Sequence, residues 1–259
     1  MNDIATTDRR NWLRRAGSGI LGFSAGSLLL ADAHAIAPLS PAAPRRRQPP
    51  LALHPAAQEL LRVHATRLVV SPTPGTTLGP YWLANMPVRS DITLGQTGMP
   101  VRLFYQVLDV TTLLPIPGAA VDLWQANACG VYSGFASQGT QGQTWLRGVQ
   151  PTDSNGICVF DTVFPGWYVG RTAHIHARVR PTLTAAPVLT TQFFFGELLG
   201  VPGFQINPAV YQFIAPYGTC GAPQTLNQND GIYNPALSQI AILRPDGPLG
   251  LWAGLVILI

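Results

Sequence analysis

From about residue 80 to residue 180 the chain never runs far without a turn. Pro115-Ile116-Pro117-Gly118, Asp153-Ser154-Asn155-Gly156 and Pro165-Gly166 are built from residues that preset or permit turn dihedrals. No stretch between them keeps a helical period. The intervening segments read as short strands: Val101 to Asp109, with Val101, Leu103, Tyr105 and Val107 on one face, then Ala119 to Gln125 and Ile157 to Thr162. Thr190 to Phe195 and Leu251 to Ile259 are two more, both apolar, and the last is too short to span a membrane. Short strands punctuated at this frequency predict an all-β domain, an antiparallel β-sandwich or barrel with long loops. With 47% hydrophobic and only 11% charged residues the chain has a full core to bury and is not a disordered polyelectrolyte.

The N-terminal part is of another kind. Asp8-Arg9-Arg10-Asn11-Trp12-Leu13 has the paired arginines of a twin-arginine export signal. A weakly apolar run from Ala16 to Leu30 follows, then the small-x-small tripeptide Ala33-His34-Ala35. At about 15 residues the run is short for a membrane-spanning helix. The expectation is a signal over 1–35, cleaved to release a periplasmic or extracellular protein with no stable membrane association. A retained anchor is the alternative. Residues 36–54, rich in Pro, Ala and Arg, read as a linker. Pro55 to Val70 reads as a short helix with Pro near its start, completing a 36–70 lead-in to a domain over 71–259.

All 16 basic residues are arginine, and seven of them fall in two N-terminal clusters, so the net charge of +4 gives the later chain no basic face for nucleic acid. Cys129, Cys158 and Cys220 allow one disulfide and one free thiol in an oxidising compartment, and three pairings are open. None of the spacings is that of a zinc knuckle.

The densest chemistry lies in Tyr168-Val169-Gly170-Arg171-Thr172-Ala173-His174-Ile175-His176. In an extended chain side chains alternate between faces. Ala173, Ile175, Ala177 and Val179 then form an apolar face, and Thr172, His174, His176, Arg178 and Arg180 a polar one. The two imidazoles stand side by side, able to reach one cation. The bland reading of such a pair is two hydrogen-bonded histidines on a half-exposed strand. His34, His54 and His64 read as solvent-exposed, Cys129 as structural, and Trp124 and Trp167 as core or pocket wall.

Asp122-Leu123-Trp124-Gln125-Ala126-Asn127-Ala128-Cys129-Gly130-Val131-Tyr132 resembles the metal-tyrosine segment of intradiol ring-cleavage dioxygenases, the family of protocatechuate 3,4-dioxygenase and catechol 1,2-dioxygenase. Leu146-Arg147-Gly148-Val149-Gln150-Pro151-Thr152-Asp153, Pro165-Gly166-Trp167-Tyr168, Arg171 to His176, and Thr191-Gln192-Phe193-Phe194-Phe195 resemble its later blocks in the same order. Thr76-Thr77-Leu78-Gly79-Pro80-Tyr81 and Val88-Arg89-Ser90-Asp91-Ile92 resemble its approach to the pocket.

The resemblance implies a non-haem Fe(III) held by Tyr132, Tyr168, His174 and His176. It implies a catechol-type substrate and O2, with the ring opened between its two hydroxyl-bearing carbons to a cis,cis-muconate-type diacid. It further implies that Tyr168 leaves the metal and takes up a substrate proton, and that Arg171 stabilises charge on the ring. Gln192 would orient the substrate or Arg171, and Tyr81 would line the pocket mouth. Two features depart from the family pattern. Leu78 stands where an acidic residue is frequent, and only six residues separate Tyr168 from His174, which implies a more open pocket. No helical dimer domain of the catechol 1,2-dioxygenase type is evident before residue 70, unless Pro55 to Val70 is a remnant of one, and a homo-oligomer is left open. The competing readings are an inactive secreted β-sandwich binding module and a zinc hydrolase using His174 and His176.

Overall fold

The computed structural model describes residues 55–67, 70–201, 203–243 and 250–259. The export signal, the linker, His34 and His54 therefore lie outside the described residues. Among the described residues eight strands follow one helix: α1 (Pro55–Arg67), then β1 (Pro100–Leu108), β2 (Ala120–Trp124), β3 (Arg147–Pro151), β4 (Ile157–Val163), β5 (His174–Arg180) and β6 (Leu189–Leu198). The second helix, α2 (Ile206–Phe213), precedes β7 (Ser238–Leu243) and β8 (Leu251–Leu258). Among the described residues no helix is long and apolar enough to cross a membrane.

The strands form one sheet in the order β3-β2-β5-β6-β7-β8-β1-β4. It curls into a nearly closed barrel, and the gap between its edges is filled by the segment 87–92. Val88 bridges Val149 of β3, Asp91 bridges Asp161 of β4, and Ile92 O accepts from Leu146 N. Both edges thereby gain partners, which leaves no open ladder at the seam. The mostly β, barrel-like architecture is the expected one. The pairings are mainly antiparallel, but β1 with β8 and β6 with β7 run parallel.

The barrel interior takes one face of each strand. Val101, Leu103, Tyr105 and Val107 of β1 meet Ala173, just before β5, with Ile175, Ala177 and Val179 of β5 and Phe193 and Phe195 of β6 there. Each fully buried large side chain contributes about 1.5–3 kcal/mol. On the outer face α1 packs Ala57, Leu60 and Leu61 against Phe104, Ile240, Trp252, Val256 and Leu258. His64 belongs to this contact and not to the surface expected of it. It is 6% exposed, and its Nδ1 accepts the Val256 N–H at 3.2 Å. An imidazole on the inward side of α1 can satisfy a backbone donor of β8 that an apolar residue would leave buried and unpaired.

Candidate metal centre and its arginine clamp

The outer face of β5 carries the site. His174 is 2% exposed and His176 fully buried, so the strand is covered on both sides and is not half-exposed. The segment Thr76-Thr77-Leu78-Gly79-Pro80-Tyr81 provides part of the cover. Gly79 has φ +72°, and a Cβ there would stand 2.8 Å from His176 Cε1, so only glycine lets this backbone lie on the imidazole. Trp124 of β2, cross-strand partner of His176, stacks on the ring from another side at 5.0 Å between centroids.

Tyr132 and Tyr168 arrive on two loops joined backbone to backbone. Asn127 folds the first, its Oδ1 accepting Cys129 N at 3.0 Å and Val131 N at 3.1 Å. Its carbonyl accepts Gly166 N of the second loop at 3.0 Å. A Cβ on Gly130 would lie 2.2 Å from Trp167 O, and one on Gly166 would lie 2.3 Å from Ala128 O. Of the three open cysteine pairings the protein has Cys129–Cys220, with Cys158 free and buried. The disulfide ties a third loop, ending α2's excursion, to the same place.

The two phenol oxygens and two imidazole nitrogens converge. Tyr168 Oη lies 3.0 Å from His174 Nε2, Tyr132 Oη 3.5 Å from it, and His176 Nε2 3.2 Å from it. Such separations suit donors that share one ion at ordinary coordination distances of about 2 Å. His174 Nδ1 lies 2.7 Å from Thr172 O, which keeps its proton on Nδ1 and turns the Nε2 lone pair to the cluster. Burial, reinforced by Arg171, pushes the His174 pKa down to about 3. Burial and then His174 push His176 the same way. Both rings are therefore neutral at pH 7. Burial raises both phenols, Tyr132 well above its usual range, with Arg171 opposing the rise at Tyr168. Among the described residues no three His, Cys, Asp or Glu side chains group to hold a metal. The cluster here draws half its donors from tyrosine.

Arg171 borders the cluster. Its Nη1 donates to Tyr168 Oη at 3.3 Å, its Nη2 to Gln192 Oε1 at 2.5 Å, and its Nε to Asp230 Oδ2 at 2.9 Å. Gln192 in turn donates to Thr77 O at 3.0 Å. Tyr81 stacks on Tyr132 with centroids 4.2 Å apart and meets Tyr168 edge-on at 6.3 Å. Every site residue expected from the sequence is thus brought to one place.

Two residues of the site had no assigned part. Asp230 is buried 56 residues past His174, in a chain region with no matched motif, and its Asp-Gly dipeptide reads only as a turn. Arg147 stands in the sequence only as one residue of the Leu146–Asp153 block. It is 1% exposed, and burial lowers its pKa to about 10. Among the described residues it makes no salt bridge, and its guanidinium instead binds Ser133 O and Oγ and Tyr81 O, with Cζ 6.0 Å from the Tyr132 ring. It therefore links the segment of Tyr81 to that of Tyr132.

The family model described as "Dioxygenase" matches residues 78–222. A solved structure, the intradiol ring-cleavage dioxygenase from Tetranychus urticae, superposes with a TM-score of 0.65 at 27% identity, covering 73% of this chain and 94% of that one. Hydroxyquinol 1,2-dioxygenase from Rhizobium sp. (strain MTP-10005) is 35% identical over 96 residues, 36% of this chain and 32% of that protein. Catechol 1,2-dioxygenase 1 of Acinetobacter lwoffii is 31% identical over 144 residues, 47% of this chain and 45% of that protein. The chain thus spans less than half the length of these two curated relatives. The family match, the fold and the order of the motifs agree, and the chain belongs to the intradiol ring-cleavage dioxygenase family.

Proposed function

We propose that this protein is a non-haem Fe(III) dioxygenase that opens a catechol-type ring with O2 between the two hydroxyl-bearing carbons, giving a cis,cis-muconate-type diacid. The observation that carries this reading is the meeting of Tyr132, Tyr168, His174 and His176 at mutual donor distances of 3.0–3.5 Å around His174 Nε2. The donor set fits the ion. A hard, highly charged cation takes oxygen donors readily, and binding removes the phenolic protons that burial otherwise retains. The neutral imidazoles complete the set. Bound there, ferric iron would anchor both oxygens of the diol and activate it toward O2.

The side chains divide the remaining work. Tyr132 is fully buried, while Tyr168 is half-buried and accepts from Arg171, which supports Tyr168 as the phenol that would hold a proton from the diol. Arg171 faces the ring and stabilises negative charge that develops on it. Gln192 holds that guanidinium in place. Tyr81, with Leu78, Trp82, Met86 and Phe135, walls the apolar side of the pocket and excludes water. Relatives named for catechol and hydroxyquinol support a small diol without a ring carboxylate. A zinc hydrolase on His174 and His176 would leave two converging phenols without a part, and the family match favours the dioxygenase.

The test is oxygen uptake with a panel of catechols on protein of measured iron content. Uptake in a one-to-one ratio with catechol or hydroxyquinol supports the reading. Iron-loaded protein that consumes no oxygen with any diol would sink it and leave the inactive binding module. We also place the mature protein outside the cytoplasm. The twin-arginine motif and the Cys129–Cys220 disulfide support this. Cell fractionation with N-terminal sequencing checks it, and an uncleaved cytoplasmic product would contradict it.

A further inference from the structure

Asp230 stands outside the matched stretch 78–222, just after the short turn Asn227–Asn229. Its side chain has no exposed surface. Oδ2 accepts both the Nε–H of Arg171 at 2.9 Å and the backbone N–H of Thr172 at 2.8 Å, and Oδ1 accepts Ile232 N at 2.8 Å. One carboxylate therefore grips a guanidinium and the backbone beside it. The consequences run in two directions. Held at Nε, the guanidinium plane has its other donors aimed at Tyr168 and Gln192. Held at its N–H, Thr172 presents the carbonyl that receives His174 Nδ1. A pair that served only to fill space would be replaceable by apolar residues at no loss of stability. This pair instead fixes the direction of a charge.

We propose that Asp230 is a positioning residue of the reaction, acting through Arg171 to hold the guanidinium against the substrate ring and Tyr168. It rests on the reading of the site as a ferric dioxygenase centre. Among the described residues Asp230 hydrogen-bonds none of the four donor side chains; its charge reaches Tyr168 and His174 through space, and its directed contacts are to Arg171 and Thr172.

The experiment compares wild type, Asp230→Asn, Arg171→Gln and the double variant, each loaded with ferric iron. It measures kcat and KM for catechol, iron content, melting temperature and the visible charge-transfer band. Asp230→Asn keeps its iron and lowers kcat about 10–100-fold, with a smaller change in KM. The double variant is slowed far less than the product of the two single effects, because most of the carboxylate's influence passes through the guanidinium. The band moves in the same direction in all three, since each weakens or removes the Arg171 donation to Tyr168. A wild-type kcat and band in Asp230→Asn would overturn the proposal, as would a double variant slowed by the product of the two single effects. A coloured wild type that consumes no oxygen ends the dioxygenase reading alone, and the band shifts then decide the positioning role. A wild type that binds no iron ends both. If Asp230→Asn does not fold, Arg171→Lys replaces it. Lysine keeps the charge but cannot hold Asp230, Tyr168 and Gln192 together. A wild-type kcat in that variant would equally overturn the proposal.

Discussion

Tyr132 and Tyr168 lie in one cluster but in different surroundings, and single substitutions separate them. Tyr132→Phe removes the fully buried oxygen, and the expected result is protein that retains little iron when dialysed against a mild chelator. Tyr168→Phe keeps more iron, shifts the charge-transfer band and slows oxygen uptake about 100-fold or more, the scale of a lost proton acceptor. Equal iron loss and equal spectra in both variants would contradict the division of roles. The histidines make a separate statement about pH. In the metal-free fold His174 titrates near 3 against an unfolded value of 6.5, and His176 is lowered in the same direction. Between those values the unfolded chain binds protons that the folded chain refuses, so stability falls as pH drops from about 6.5 toward 3. Urea midpoints of the metal-free protein at pH 7 and pH 5 test this. The midpoint falls on acidification, and His174→Gln/His176→Gln flattens the fall. The histidine pair was legible because period-2 alternation needs only neighbouring residues. Asp230 and Arg147 were not, because a buried acid or base is recognised by what folds over it, from segments far along the chain.

At the scale of elements, the site depends on loops packed too closely for side chains. Gly79 lies on His176 at positive φ, with 2.8 Å of room for a Cβ. Gly79→Ala is expected to cost about 1–3 kcal/mol of stability and to displace the imidazole. The checks are a lowered melting temperature and weaker iron retention, while Gly139→Ala, with nothing within 4 Å of its Cβ position, shows only the backbone penalty. The disulfide closes a loop of 91 residues across the tyrosine-bearing segments. Cys220→Ser should remove about 2–5 kcal/mol of stability and broaden the charge-transfer band as the Tyr132 and Tyr168 loops loosen. An unchanged melting temperature would contradict this. β1, β2, β4, β5, β6 and β8, marked by alternation or by an apolar run between turns, were read from sequence within a few residues of their ends. β3 was missed because Arg147-Gly148-Val149-Gln150-Pro151 carries a glycine, a proline and one apolar residue. Gly148 is required there, since its Cβ would lie 2.6 Å from Ile92 Cγ2. β7 and α2 were missed as well.

For the whole molecule, the barrel divides its labour between faces. The interior of β5 and its neighbours is apolar and supplies rigidity. The exterior of β5, under the 76–86 segment and the tyrosine loops, collects the polar groups. The general β class followed from turn frequency, but the strand order, the two parallel pairings and the seam at 87–92 depend on long-range pairing that no local pattern records. The account stands on two phenols and two imidazoles binding one ferric ion. The most direct measurement is the visible absorption spectrum of purified protein at one iron per chain. The account predicts a red to burgundy solution, with a tyrosinate-to-iron charge-transfer band that changes when a catechol is added without oxygen. A colourless solution at that iron content would contradict it.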